Sequence, residues 1–236
     1  MALEQPTNVE NLSISLGGKE LFEDVSFRVD RNTRAGLVGY NGSGKSTLLK
    51  IMAGEIEPDE GRVILPKGIR VGYMQQFTPE QFMTMDVFSA LSSSAQLPHE
   101  DYEIEAILYQ LGFQWDDIYE KPVQNFSGGW QKLIMFASTL VDEPDLLLMD
   151  EPTNHMDVRA RALFEEFVAN SLRVPFIVVS HDRDFLDRFT NQTMFLRDRR
   201  LYQFGSPYSS SREELIHQDI AAMEARQAEE KELRRL

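Results

Sequence analysis

Apolar and polar residues alternate from Val9 to Leu16 and again from Val25 to Val29, with Gly17 and Gly18 between the two runs. A two-residue period marks strands with one buried face, and paired glycines mark a turn, so the chain is expected to open on an antiparallel β part. The rhythm then changes. Ala35, Leu37 and Val38 read as a buried strand, while Leu48, Leu49, Ile51 and Met52 give the apolar face of a helix. A turn at Glu57–Gly61 precedes strand candidates at Arg62–Leu65 and Ile69–Met74. From Phe77 to Asn125 the pattern is helical: Ile104, Ile107, Leu108 and Leu111 recur at helical spacing, and Gly112 closes the run.

A further helix is expected from about Ser127 to Val141. Leu146–Met149 is apolar at every position, as suits a strand covered on both faces of a parallel sheet. Leu163, Phe164, Phe167 and Val168 form the next helical stripe, Phe176–Val179 the next strand, and Asp182 starts a short helix. Strands alternating with helices imply right-handed crossovers, a mostly parallel core sheet and ligand sites at the strands' carboxyl ends. The expected fold is α/β, with its core at 1–76 and 126–207, an inserted helical lobe at 77–125 and a C-terminal helical segment at 208–236. That segment has no Gly or Pro from Ser209 onward and reaches Leu236 without a capping signal, the pattern of a chain cut from something longer.

Composition narrows the function classes. A chain of 236 residues with 42% hydrophobic residues can bury a full core. It contains no cysteine, which excludes disulfides and thiolate metal sites and fits a reducing compartment. Met1–Glu10 lacks the layout of a secretion signal, and the apolar runs are too short to span a bilayer, so the expected location is cytoplasmic, without direct membrane insertion. The net charge of −14 disfavours non-specific coating of nucleic acid, and it is unevenly spread. Between Thr78 and Asn125 nine acids face one base, Lys121, whereas bases gather at Arg31, Arg34, Arg159, Arg161, Arg173 and the Arg197-Asp198-Arg199-Arg200 cluster. Any nucleic-acid face therefore lies outside 78–125.

The chemistry is concentrated in Gly39-Tyr40-Asn41-Gly42-Ser43-Gly44-Lys45-Ser46-Thr47, which reads G-x-x-x-x-G-K-S between a strand and a helix. Glycines let successive amides point at one anion, and the helix start adds its positive dipole end. In such a cradle Lys45 reaches the terminal phosphates of a nucleoside triphosphate and Ser46 ligates Mg²⁺. Asp150 and Glu151 follow the apolar strand, the first suited to hold Mg²⁺ through water and the second to act as general base. Ser127, Gly128 and Gly129 open a helix and form a second candidate anion site. Gln76 and His181 each follow a predicted strand, where an α/β sheet presents its ligands.

Taken in order, the cradle, Gln76, Ser127-Gly128-Gly129, Asp150-Glu151 and His181 resemble the ATP-binding-cassette ATPases, over nearly the whole chain. The resemblance implies bound ATP and Mg²⁺. It makes Phe126–Trp130 the signature loop, Asn154–Asp157 the D-loop, Gln76 a metal sensor and His181 the histidine that contacts the γ-phosphate. Members of the family close ATP between the cradle of one cassette and the signature of another, so a partner cassette is expected, in tandem or in a homodimer. The wording Phe126-Ser127-Gly128-Gly129-Trp130, Glu151-Pro152-Thr153-Asn154-His155-Met156-Asp157 and Ser180-His181-Asp182-Arg183-Asp184-Phe185-Leu186 is similar to the ABC-F branch. These are soluble tandem-cassette proteins with a charged helical linker, many of them acting on the ribosome.

By that likeness the chain is a first cassette, and the segment from Tyr208 starts the linker. The alternative is the ATPase subunit of a membrane transporter, which shares the ATP residues; a DNA-maintenance ATPase fits less well, for want of a long coiled-coil insertion. Two positions depart from the pattern. Leu16 stands where an aromatic often stacks on adenine, leaving Phe22 as the candidate for that role, and Leu133 stands where many relatives carry Arg.

Overall fold

The computed structural model describes residues 6–233. The last three residues of the expected C-terminal helical segment, 234–236, lie outside the described residues, as do 1–5. At the N-terminus β1 (Thr7–Leu16) pairs antiparallel with β2 (Lys19–Val29) on one side and with β4 (Glu60–Ile64) on the other. Gly17 and Gly18 carry φ of 60° and 77° in the connecting turn, the left-handed pair that matches the twist of a tight hairpin. Pairing resumes directly after the turn, so β2 begins at Lys19, ahead of the alternation that starts at Val25.

The larger sheet contains β3 (Arg34–Val38), β5 (Val71–Met74), β6 (Leu146–Asp150), β7 (Phe176–Val179), β8 (Gln192–Arg197) and β9 (Arg200–Phe204). Their order is β5-β6-β7-β3-β8-β9, parallel throughout except for the final β8–β9 pair. Helices α1 (Lys45–Met52), α2 (Val87–Ser94), α3 (Asp101–Gln110), α4 (Trp115–Tyr119), α5 (Gly128–Leu140), α6 (Val158–Asn170), α7 (Arg183–Phe189) and α8 (Tyr208–Leu233) complete the architecture. The fold is the α/β arrangement expected: a mostly parallel core sheet, an antiparallel part and helices.

The all-apolar run of β6 has its expected cause. Leu146 and Leu148 pack with β1, β2 and α1 on one face of the sheet, while Leu147 and Met149 pack with α5, α6 and α7 on the other. The second cluster also takes in Ile104 and Leu108 from α3, with Leu111 and Phe113 just after it, so the stripe read in 77–125 shares one apolar core with α5. A left-handed Gly112, at φ 83°, ends that stripe.

The β8–β9 hairpin was not read from the pattern. The Arg197–Arg200 cluster is its turn, with Asp198 and Arg199 at φ of 50° and 64°. Two of its three arginines are already engaged, Arg197 with Asp219 of α8 and Arg199 with Glu20 of β2. Arg161 likewise pairs with Glu165 and Asp182 at 2.7 and 2.6 Å. These cations brace the fold.

Candidate functional site

A cavity of about 410 Å³ opens at the carboxyl ends of β3, β6 and β7, and its wall includes Asn41, Gly42, Gly44, Lys45, Ser46, Thr47, Gln76, Asp150, Glu151 and His181. Residues scattered from 41 to 181 are thus brought together because parallel strands deliver their following loops to one side. The cradle is built by close approach. Gly42 and Gly44 adopt φ of 77° and 102°; a Cβ at Gly44 would stand 2.9 Å from the Phe22 ring, and one at Gly39 would stand 2.4 Å from the Leu196 carbonyl oxygen. Gly39 and Ser43 support the loop from behind the wall, since neither lines the cavity.

Lys45 is 8% exposed, and its Nζ donates to the Gly39 and Tyr40 carbonyls at 2.9 and 3.0 Å. Burial lowers its pKa, with Glu151 and Asp150 opposing the shift. These features fit a polyphosphate. No side chain caps the start of α1 at Gly44, which leaves its first amides free to bind an anion, and the buried Ser43 Oγ has no hydrogen-bond partner among the described residues. They also fit Mg²⁺ brought by a nucleotide. Ser46, Gln76 and Asp150 share the wall, and the described residues contain no cluster of three or more His, Cys, Asp or Glu that could hold a metal on its own. Mg²⁺ is typically bound through one or two carboxylates plus substrate phosphates.

β6 ends at Asp150, buried, and the chain turns at once: Glu151 adopts φ 50°, and its N–H donates to the Val179 carbonyl of β7 at 2.9 Å. That left-handed turn aims consecutive carboxylates differently. His181, just past β7, brings its Nε2 to 3.4 Å from Glu151 Oε1. Burial raises the Glu151 pKa and outweighs the opposing pulls of His181 and Lys45, so the carboxyl is tuned toward accepting a proton.

Ser127, Gly128 and Gly129 do not line the cavity. Ser127 Oγ instead donates to Asp157 Oδ2 at 3.0 Å, and Asp157 also caps α6 by accepting from the Arg159 and Ala160 amides. Those backbone hydrogen bonds and the serine hold the Asp157 pKa below its ordinary value. Gly129 packs directly on that turn, since a Cβ there would meet Asp157 N at 2.8 Å, whereas Gly128 has nothing within 4 Å.

The Phe22 expectation needs correction. Phe22 is 0% exposed and supports Gly44 from the apolar core, while its neighbour Leu21 lines the cavity. In β2 successive side chains take opposite faces, so only one of the two can look outward. Sequence reasoning missed Leu21 for want of an aromatic signal. It also missed Lys132, a charge embedded in the apolar stretch of α5, whose Nζ donates to the Gln76 carbonyl.

A parallel sheet whose loops assemble a phosphate cradle, a carboxylate pair and a histidine around one cavity defines a nucleotide-binding cassette. The chain belongs to the ATP-binding-cassette family: the family described as "ABC transporter" matches residues 22–154, more than half of its length. That family hydrolyses ATP. The chain is similar to ABC transporter F family member 5 of Arabidopsis thaliana, 32% identical over 93% of this chain and 38% of the relative. It is likewise similar to ATP-binding protein Uup of Caulobacter vibrioides, 35% identical over 93% of this chain and 34% of the relative. The chain therefore spans little more than a third of the length of these relatives. Among solved structures, an ATP-binding subunit of an ABC transporter shares the fold with a TM-score of 0.74 at 24% identity, covering 85% of this chain and 90% of that one. Among the described residues, no helix is long and apolar enough to cross a membrane.

Proposed function

We propose that this chain is an ATP-hydrolysing cassette of the ABC-F type that closes on a second cassette around Mg·ATP to drive a conformational cycle on the ribosome. The observation that carries the reading is the division of the motifs. Cradle, Gln76, Asp150, Glu151 and His181 share one cavity, while Ser127, Gly128 and Gly129 lie outside it. A candidate anion-binding helix start that stays out of the cradle's cavity fits a site completed from elsewhere. Bound Mg·ATP supplies the γ-phosphoryl group and a cation that offsets its charge.

The protein's part is positioning and electrostatics. Lys45 and the first amides of α1 hold phosphate charge, and Ser46 and Asp150 face the metal with Gln76 beside them. Glu151 receives the proton of the attacking water, and His181 orients Glu151 and faces the γ-phosphate. Gly39, Asn41, Gly42, Ser43, Gly44 and Thr47 shape the cradle. The partner cassette lies further along the same protein or on a second copy of the chain, and α8 starts the linker in the tandem case.

Sedimentation with ribosomes tests the cellular part. With a non-hydrolysable ATP analogue, the full-length protein is expected to pellet with ribosomes, and a Lys45→Ala variant is not. Recovery with membranes alone would favour the transporter-subunit reading.

A further inference from the structure

Lys132 stands in an unusual place for a cation. It is 7% exposed, its neighbours Leu133 and Ile134 are fully buried, and α5 packs into the apolar core on that side. Burial lowers its pKa, although Asp150 and Glu151 act in the opposite direction. It forms no ion pair with either carboxylate. Among the described residues its hydrogen-bond partner is the main-chain carbonyl of Gln76. A buried ammonium with one hydrogen bond costs more than an apolar side chain of similar length would, so packing alone does not account for a lysine here.

Its partner explains the choice. The chain leaves the sheet at Met74, the last residue of β5, and crosses to a single helical turn at Glu80–Phe82 with Gln76 between them. Gln76 lines the cavity, yet it lies beyond the β5–β6 ladder, whose last pair is Met74 with Met149. At its other end α5 begins at Gly128, next to Ser127, whose hydroxyl is bonded to Asp157. Lys132 lies one turn into that helix. A single side chain thus joins the cavity wall to a helix whose start does not line the cavity.

We propose that Lys132 is a positioning residue: it holds Gln76 at the cavity and transmits the state of that wall to Ser127–Gly129 at the start of α5. Gln76 carries the contact with the ligand and Lys132 acts through it. The inference rests on the ATPase reading for its functional half only. The tie to the 75–78 loop exists without nucleotide and is tested without it.

The test uses the full-length protein and the variants Lys132→Met and Lys132→Arg. Methionine keeps the length of the side chain and removes the charge and the donor; arginine keeps both. In nucleotide-free protein, amide hydrogen exchange at Gln75–Thr78 is expected to accelerate about tenfold or more in Lys132→Met and to stay near wild type in Lys132→Arg. Unchanged exchange in the methionine variant would overturn the tie, whatever the protein binds.

The second readout is the fluorescence of Trp130, which lies two positions before Lys132 and packs on Phe113 at 5.0 Å. It is read with Trp115, the other tryptophan of residues 1–236, and any tryptophan outside them replaced by Phe. On addition of Mg·ATP, the Trp130 change is expected to be lost in Lys132→Met and retained in Lys132→Arg. The kcat is expected to fall about tenfold or more with KM within about threefold, as for a misplaced positioning group. A full Trp130 response with wild-type kcat in Lys132→Met would leave Lys132 as packing only. If Lys132→Met does not fold, Lys132→Leu, which also removes the charge and the donor, replaces it under the same outcomes. A wild-type protein that binds no ATP would refute the functional reading and leave the exchange result to decide the tie.

Discussion

Nε2 of His181 lies 3.4 Å from Oε1 of Glu151, across the ends of the neighbouring strands β7 and β6. The two side chains differ sharply in exposure, 60% for His181 and 13% for Glu151. A buried carboxylate with an accessible imidazole beside it can be held in place while its partner still swings toward whatever enters the cavity.

Glu151→Gln keeps the shape of the side chain and removes its basicity. ATP binding is expected to persist while phosphate release falls by about 10²–10⁴-fold, the usual contribution of general-base catalysis. Isothermal titration and a phosphate-release assay in the paired protein check the two halves. Hydrolysis at the wild-type rate would remove Glu151 from its assigned role.

The same substitution has a pH signature. Burial raises the Glu151 pKa above the ordinary 4.5, so between that value and its folded value the native state binds more protons than the unfolded one. Stability from this group is therefore full below the unfolded pKa and lost as pH rises through the folded pKa. Glutamine has no charge to bury. Thermal melts should show Glu151→Gln gaining on wild type as pH rises from about 4.5, then levelling off above the folded pKa.

Gly128 and Gly129 are expected to behave differently. Gly129→Ala puts a Cβ 2.8 Å from the Asp157 backbone nitrogen, which cannot step aside, whereas Gly128→Ala meets nothing within 4 Å. Denaturant titration should show Gly129→Ala destabilised by about 1–3 kcal/mol and Gly128→Ala close to wild type. A hydrolysis defect in Gly128→Ala without a stability defect would point to contacts made with another cassette.

Phe22→Leu should lower stability by about 1–2 kcal/mol, a cavity effect, with the KM for ATP changed less than threefold. Leu21→Asp should weaken nucleotide binding far more than Phe22→Leu does, because Leu21 lines the cavity at the edge of the core while Phe22 lies within the core. Denaturation and a KM measurement on each variant check the contrast.

The sheet was largely readable because its chemistry is local. Leu146–Met149 is apolar at every position, and only a strand covered on both faces asks for that. The cradle was readable for a similar reason, since its glycines sit where a side chain would strike Leu196 or Phe22. The failures concern direction and distance. Alternation in β2 does not say which face looks outward, so the aromatic Phe22 stands out as a candidate while Leu21 gives no signal. The β8–β9 hairpin was hidden behind a basic turn that reads as a charge cluster. Nothing local marks Lys132 as the partner of Gln76, because the two are 56 positions apart and meet only when α5 packs beside β5.

The pairing of Arg197 with both carboxylate oxygens of Asp219 joins α8 to β8, and Ser209 adds a bond from its backbone N–H to Asp187 of α7 at 2.7 Å. Beyond Asp219 the described helix runs on to Leu233, about 21 Å at 1.5 Å per residue. Clamped at its root, this length behaves as an outrigger. A tilt of the sheet by about 10° would sweep the far end of the described helix through about 4 Å, so its tip reports on the angle of β8.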